Sequence, residues 1–154
     1  MRTWLLLILC LTGCAVLHPQ QWWRPAETGA FMFSLPPDVQ QSSAPQANSP
    51  ITQYTNLDMT ITFDDGASAG ESLDSLKRYS HFASGLEHIG GTWVQIVYFD
   101  LPPGGGHRFD YGMAASYRGL GLSIYAHCRT RQDCLTALKI FKTVRLKASR
   151  ATRP

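Results

Sequence analysis

Trp93-Val94-Gln95-Ile96-Val97-Tyr98-Phe99-Asp100-Leu101 decides the fold, because this stretch is apolar on both faces. At a period of two, Val94, Ile96 and Tyr98 point one way while Val97, Phe99 and Leu101 point the other. A strand with two apolar faces needs cover on both sides, so it is expected as the central strand of a sheet. Its sequence neighbours supply the ladder. Phe109, Tyr111, Met113, Ala115 and Tyr117 alternate next, Arg118-Gly119 turns the chain, and Leu120, Leu122, Ile124 and Ala126 return as the antiparallel partner. Upstream, Phe31, Phe33 and Leu35 alternate before Pro36-Pro37. Leu57, Met59, Ile61 and Phe63 alternate with Asp58, Thr60, Thr62 and Asp64, the pattern of a half-buried strand.

Two segments change period. Glu71 to Tyr79 places Leu73, Leu76 and Tyr79 on one side, with acidic residues early and Lys77-Arg78 late, as a helix dipole favours. Arg131 to Lys142 gathers Leu135, Leu138 and Phe141, with Asp133 near the start and Lys139 and Lys142 towards the end. Val144 and Leu146 can add a last strand. This set predicts an α+β fold, an antiparallel β-sheet with two helices packed on one face.

Outside this domain the chain carries an address. Arg2 precedes an apolar run from Trp4 to Leu11, which is followed by small Thr12 and Gly13 and then Cys14. Leu11-Thr12-Gly13-Cys14 resembles the lipobox of bacterial lipoproteins, in which the cysteine is acylated and becomes the mature N-terminus. The run is short for crossing a bilayer. Residues 1–13 are therefore expected to be a lipoprotein signal peptide, 14–29 a lipid anchor and tether, 30–147 a single domain, and 148–154 a basic tail. By the same resemblance, Ala15 in place of Asp favours the outer membrane, facing the periplasm, over the inner membrane. Trp22-Trp23-Arg24 suits either lipid headgroups or packing on the domain. Residues 40–50 are polar without an apolar period and read as an exposed loop.

A periplasmic address makes the compartment oxidising. Cys10 leaves with the signal and Cys14 takes lipid, so Cys128 and Cys134 remain, separated by Arg129 to Asp133. A disulfide closing so short a loop contributes about 2 kcal/mol in the chain-entropy model. The alternatives are two buried thiols or a half-built metal site, for which no second cysteine pair or nearby histidine supplies ligands. His18, His81, His88, His107 and His127 are dispersed. Asp64, Asp65, Glu71 and Asp74 lie close in sequence but do not match a calcium loop; turns and a helix start account for them. No metal and no cofactor are expected.

The order of the pieces is familiar. Phe33-Ser34-Leu35-Pro36 opens the domain, and a strand like Leu57 to Phe63 leads into a short helix. Gly90-Gly91-Thr92-Trp93 enters the long strand, and a hairpin ends in Gly119 to Ile124. A helix with Leu135 and Leu138 then leads to Thr143-Val144. This resembles the PsbP-like α/β/α sandwich, in particular small bacterial lipoproteins of the DcrB-like kind, over residues 30–147. The resemblance implies a binding or assembly protein without a catalytic centre.

Gly66-Ala67-Ser68-Ala69-Gly70 matches the G-x-S-x-G pattern between a strand and a helix. A hydrolase would use Ser68 as nucleophile, with Asp100 or Asp110 and His107 or His127 completing a triad. The domain lacks alternating strand–helix units, and Asp64-Asp65 stands where an apolar strand end belongs, so a turn is the better account. The protein is read as not an enzyme. Pro102 to His107 joins two strong strands, and the three glycines precede a strand rather than the helix a phosphate cradle requires. This hairpin tip and its flanks nominate Tyr98, Asp100, Gly104, Gly105, Gly106, His107, Arg108 and Tyr111 as partner-binding residues.

The net charge of +3 hides a division. Ala15 to Asp100 holds nine acidic and three basic residues, whereas from Leu101 onward ten basic residues face two acidic ones. No aromatic–basic motif points to nucleic acid. The expected partners are a membrane, through the N-terminal lipid, and a periplasmic protein. The leading expectation is a non-enzymatic lipoprotein that binds another protein, either as an immunity-type inhibitor of a toxic secreted enzyme or as an envelope-assembly factor. Carriage of a small apolar ligand between sheet and helices is the alternative, and a Ser68 hydrolase the remote one.

Overall fold

The computed structural model describes residues 22–42, 51–67, 69–103 and 108–147. In chain order the elements are β1 (Arg24–Thr28), β2 (Phe31–Leu35), β3 (Gln40–Ser42), β4 (Ile51–Thr55), β5 (Met59–Asp64) and a 3-10 helix (Leu73–Arg78). There follow β6 (Ser80–Ile89), β7 (Thr92–Asp100), β8 (Tyr111–Tyr117), β9 (Leu122–Cys128), α1 (Arg131–Lys142) and β10 (Arg145–Leu146). Seven strands form one sheet in the order β3-β4-β5-β9-β8-β7-β6, and β1-β2-β10 form a second, smaller one.

The double cover that β7 requires is present. Val94 and Ile96 join the main core with Met113, Ile124, Ile140 and Phe141. Val97 and Phe99 pack with Leu73 and Ala114 in a separate cluster on the opposite face. β7 is interior, between β8 and β6, one place from the sheet edge. The two sheets meet through aromatic rings. Phe33 of β2 stacks on Phe63 of β5 at 4.1 Å, and Tyr54 of β4 meets both edge-on. The small sheet and α1 therefore cover the same face of the large sheet.

The arrangement overturns the α+β expectation of two helices on one face, and with it the α/β/α sandwich. The molecule is mostly β, with two sheets and, among the described residues, one α-helix. Residues 71–79 form only the 3-10 turn, and it lies on the face away from α1. The physical reason is in the spacing. Leu73, Leu76 and Tyr79 recur every third residue, the repeat of the tighter helix, and six residues are too few to sustain an α-helix alone. Ser72 caps the turn by accepting the N–H of Asp74, and the Tyr79 N–H closes it on Leu76 O.

Other boundaries shift as well. Arg24–Thr28, assigned to the tether by sequence, pairs with β2 in full register, and Pro25 is tolerated because β1 is an edge strand. Gln40–Ser42, assigned to the polar loop, pairs with β4; residues 43–50 lie outside the described ones. Leu57 is exposed rather than in a strand, because Asn56 Oδ1 accepts the N–H groups of Asp58 and Met59 and holds a turn there. β4 and β6 have no counterpart among the expected strands. Elements expected over Phe31 to Leu35 and Arg131 to Lys142 are present, and the strands expected over Phe109 to Tyr117 and Leu120 to Ala126 are present but begin two residues later, at Tyr111 and Leu122.

Candidate functional site

The β7–β8 hairpin closes with Asp100 opposite Tyr111, and Leu101 N–H donating to Asp110 O extends the ladder at 2.9 Å. Period-two geometry puts Tyr98, Asp100 and Tyr111 on the face that α1 covers. α1 packs on β9 and β8. Its first turn therefore stands over the end of this hairpin, leaving a cleft of about 560 Å³ against β6 and β7.

His81 enters the cleft from β6. The β6–β7 register shifts between Ser80 and Ala83, and in this bulge His81 has φ of 52°, a left-handed conformation unusual outside glycine. Asp100 Oδ2 accepts a hydrogen bond from His81 Nδ1 at 2.7 Å. Arg131, the first residue of α1, approaches Asp100 Oδ1 at 3.9 Å and lies over the Tyr111 ring, 5.4 Å from its centroid. Ala83, Tyr98, Phe99 and Leu135 make most of the wall apolar. Burial, and then the charge of Glu87, push the Tyr98 phenol above the ordinary tyrosine range, so it stays a neutral hydroxyl.

The wall formed by α1 is fastened at its base. Cys128, at the end of β9, and Cys134, in the second turn of α1, form a disulfide with Cα atoms 5.5 Å apart. The helix start is held by a capping box, in which Thr130 and Asp133 satisfy each other's backbone N–H groups. Further along, Lys142 Nζ meets Glu87 Oε2 of β6 at 2.7 Å and ties the far end of α1 to the same edge strand.

Of the eight residues nominated for partner binding, Tyr98, Asp100 and Tyr111 line this cleft. Arg108 does not. Its guanidinium donates to the carbonyls of Asn56 and Leu57, at the β4–β5 turn. Gly104, Gly105, Gly106 and His107 lie outside the described residues, as do Cys14, Ser68 and the 148–154 tail. Of the hydrolase candidates, Asp100, Asp110 and His127 are among the described residues, whereas Ser68 and His107 are not. His127 pairs with Gly112 and Thr60 on the opposite sheet face from Asp100, whose Oδ2 is bonded to His81. The acidic quartet does not assemble either. Asp64 accepts the Gly66 N–H, and Asp74 pairs with Lys77 at 3.1 Å on the surface. No three ligand-type side chains stand together among the described residues.

Sequence reasoning missed His81 and Arg131. His81 lies in a strand with no alternation to announce it, and Arg131 reads only as a helix start. No family model matches this chain, and no curated protein matches its sequence.

Proposed function

We propose that this protein is a lipid-anchored envelope protein, acylated at Cys14 and held at the periplasmic side of the outer membrane, whose folded part grips a protein partner at the α1–hairpin cleft. One observation carries the reading. Tyr98, Asp100 and Tyr111, nominated from sequence as partner contacts, converge on a single cleft and are joined there by His81 and Arg131. Aromatic rings with an arginine and an acid are side chains that anchor interfaces. The Cys128–Cys134 disulfide suits an oxidising compartment. Asp100 is engaged by a histidine and an arginine, and the Cys134 sulfur in the wall is tied in the disulfide. The cleft is thus furnished for recognition rather than for nucleophilic chemistry. An inhibitor that blocks an incoming enzyme and an envelope-assembly factor are both compatible uses of such a grip.

The test is a photo-crosslinking residue at Gln132, on the cleft wall, in the full chain expressed in its own envelope. The expected result is one discrete protein adduct, lost on Tyr111→Ala and not reproduced from Leu57, at the β4–β5 turn. No adduct, or the same adducts from both positions, contradicts the reading. An adduct with a secreted lytic enzyme selects the inhibitor.

A second reading, carriage of a small apolar ligand, is favoured by the position of the cleft between sheet and helix and by its largely apolar wall.

A further inference from the structure

We propose that the cleft is a binding site for a single-chain amphiphile bearing a carboxylate, its head on Arg131 and His81 and its apolar body against Ala83, Tyr98 and Leu135. This deepens the second reading above and rests on it.

Shape comes first. β6 presents small residues where it faces α1. Ala83 and Gly85 pair with Tyr98 and Ile96 of β7, and a Cβ added at Gly85 would touch nothing within 4 Å. Leu135 lies on the helix side of the gap, its surface 46% exposed, an apolar cost that a ligand's hydrocarbon would remove. α1 rises about 16 Å from Arg131 to Lys142. Its far end is bridged to β6 by the Lys142–Glu87 ion pair. A volume of about 560 Å³ falls in the range of small-ligand sites. The cleft itself runs from Arg131 to Leu135 on α1 and takes in His81 and Ala83 of β6, with polar groups at its mouth and an apolar wall behind them, which suits a ligand with one polar head and one hydrocarbon body.

The head group follows from the donors at the mouth. A guanidinium carries five N–H donors. Among the described residues, Arg131 has only the 3.9 Å approach to Asp100 and the Tyr111 ring as partners. The guanidinium lies against that ring at the cleft, with no short hydrogen bond to a protein acceptor among the described residues. His81 gives Nδ1 to Asp100, so the other ring nitrogen, Nε2, is not the one engaged there, and the exposed imidazole lines the same cleft. Asp100 thus spends its charge on orienting two groups, and Arg131 offsets it. A carboxylate can take a bidentate bond from Arg131, the strong geometry for this pair. An ammonium head would face the arginine.

The experiment is calorimetric titration of the full chain bearing Cys14→Ser, so that no lipid is attached, with dodecanoate and separately with dodecyltrimethylammonium below their micelle concentrations. Dodecanoate is expected to saturate one site and to bind about tenfold or more tightly than the ammonium. Arg131→Gln should remove most of that preference, and Ala83→Trp should abolish binding. Ala83 and Leu135 resonances of the unsubstituted site should shift on saturation, a readout that does not depend on any cleft variant folding. Equal binding of the two amphiphiles overturns the head-group assignment and leaves the apolar cleft standing. No binding of either, or shifts confined to other residues, overturns the carrier reading as well.

Discussion

Gly112 shows how tightly the hairpin beneath the cleft is built. It lies in β8 opposite Phe99, and a Cβ there would collide with the edge of the Phe99 ring, which is 5% exposed and has little room to give. We expect Gly112→Ala to lower unfolding free energy by about 1–3 kcal/mol, the usual cost of overpacking, in urea denaturation. Tyr117 is a second sensitive residue. Its side chain is buried and its hydroxyl donates to Phe141 O at 2.6 Å, near the end of α1. Burial, and then the Glu87 charge, push its pKa up. The folded state therefore keeps this proton at a pH where the unfolded chain, titrating near about 10, has lost it. The stability this confers is complete below about pH 10 and falls as pH rises towards the folded value. Tyr117→Phe should cost about 1 kcal/mol at neutral pH through the lost hydrogen bond. It should also make the alkaline loss of stability shallower, as read from thermal melts between neutrality and high pH. At this scale the sequence was informative about pairs across one hairpin. Asp100 and Tyr111 flank the same tip, so their meeting was legible. His81 and Arg131 come from segments far apart in sequence, and only the β6 bulge and the packing of α1 bring them to Asp100.

Among the elements, those with one clean period were legible. Phe31, Phe33 and Leu35, or Met59, Ile61 and Phe63, alternate because one face of each strand is buried and the other is not. β6 does not alternate because it is an edge strand with most of its residues exposed, so neither face leaves a hydrophobic record. The 3-10 turn was misread because a spacing of three satisfies a helical template over so short a span. α1 was legible from end to end, and its start can be tested. Thr130→Ala removes the capping box and should destabilise by about 1 kcal/mol. Reducing the Cys128–Cys134 disulfide opens a loop with a sequence separation of 6 and should cost about 2 kcal/mol. Amide exchange should then rise first over Arg131 to Leu135, because this turn is what the bond fastens to β9. Uniform acceleration across α1 and the sheet would mean that the bond does not act locally.

For the whole molecule, the two-sheet arrangement was not legible. Nothing in the alternation of β2 says that it leaves the large sheet, pairs with β1 and β10, and lays Phe33 on Phe63. Its partners are β1, which pairs with it over five residues, and β10, two residues long, which returns beside it after α1. The consequence for function is that α1 and the small sheet share one face, and the uncovered end of that face, beside β6 and β7, becomes the cleft. The division of charge along the chain is partly consumed by this packing, since Lys142 meets Glu87 and Lys147 meets Glu27 across the two halves. Among the described residues no helix is long and apolar enough to cross a membrane; the membrane attachment proposed here is through Cys14. The most direct measurement is hydrogen exchange on the acylated protein, alone and bound to the protein captured at Gln132. Protection is expected over Ser80 to Ala83 and Arg131 to Leu135, with Phe31–Leu35 unchanged. Protection confined to the small sheet or the β4–β5 turn would place the working surface elsewhere and contradict the assignment of the cleft.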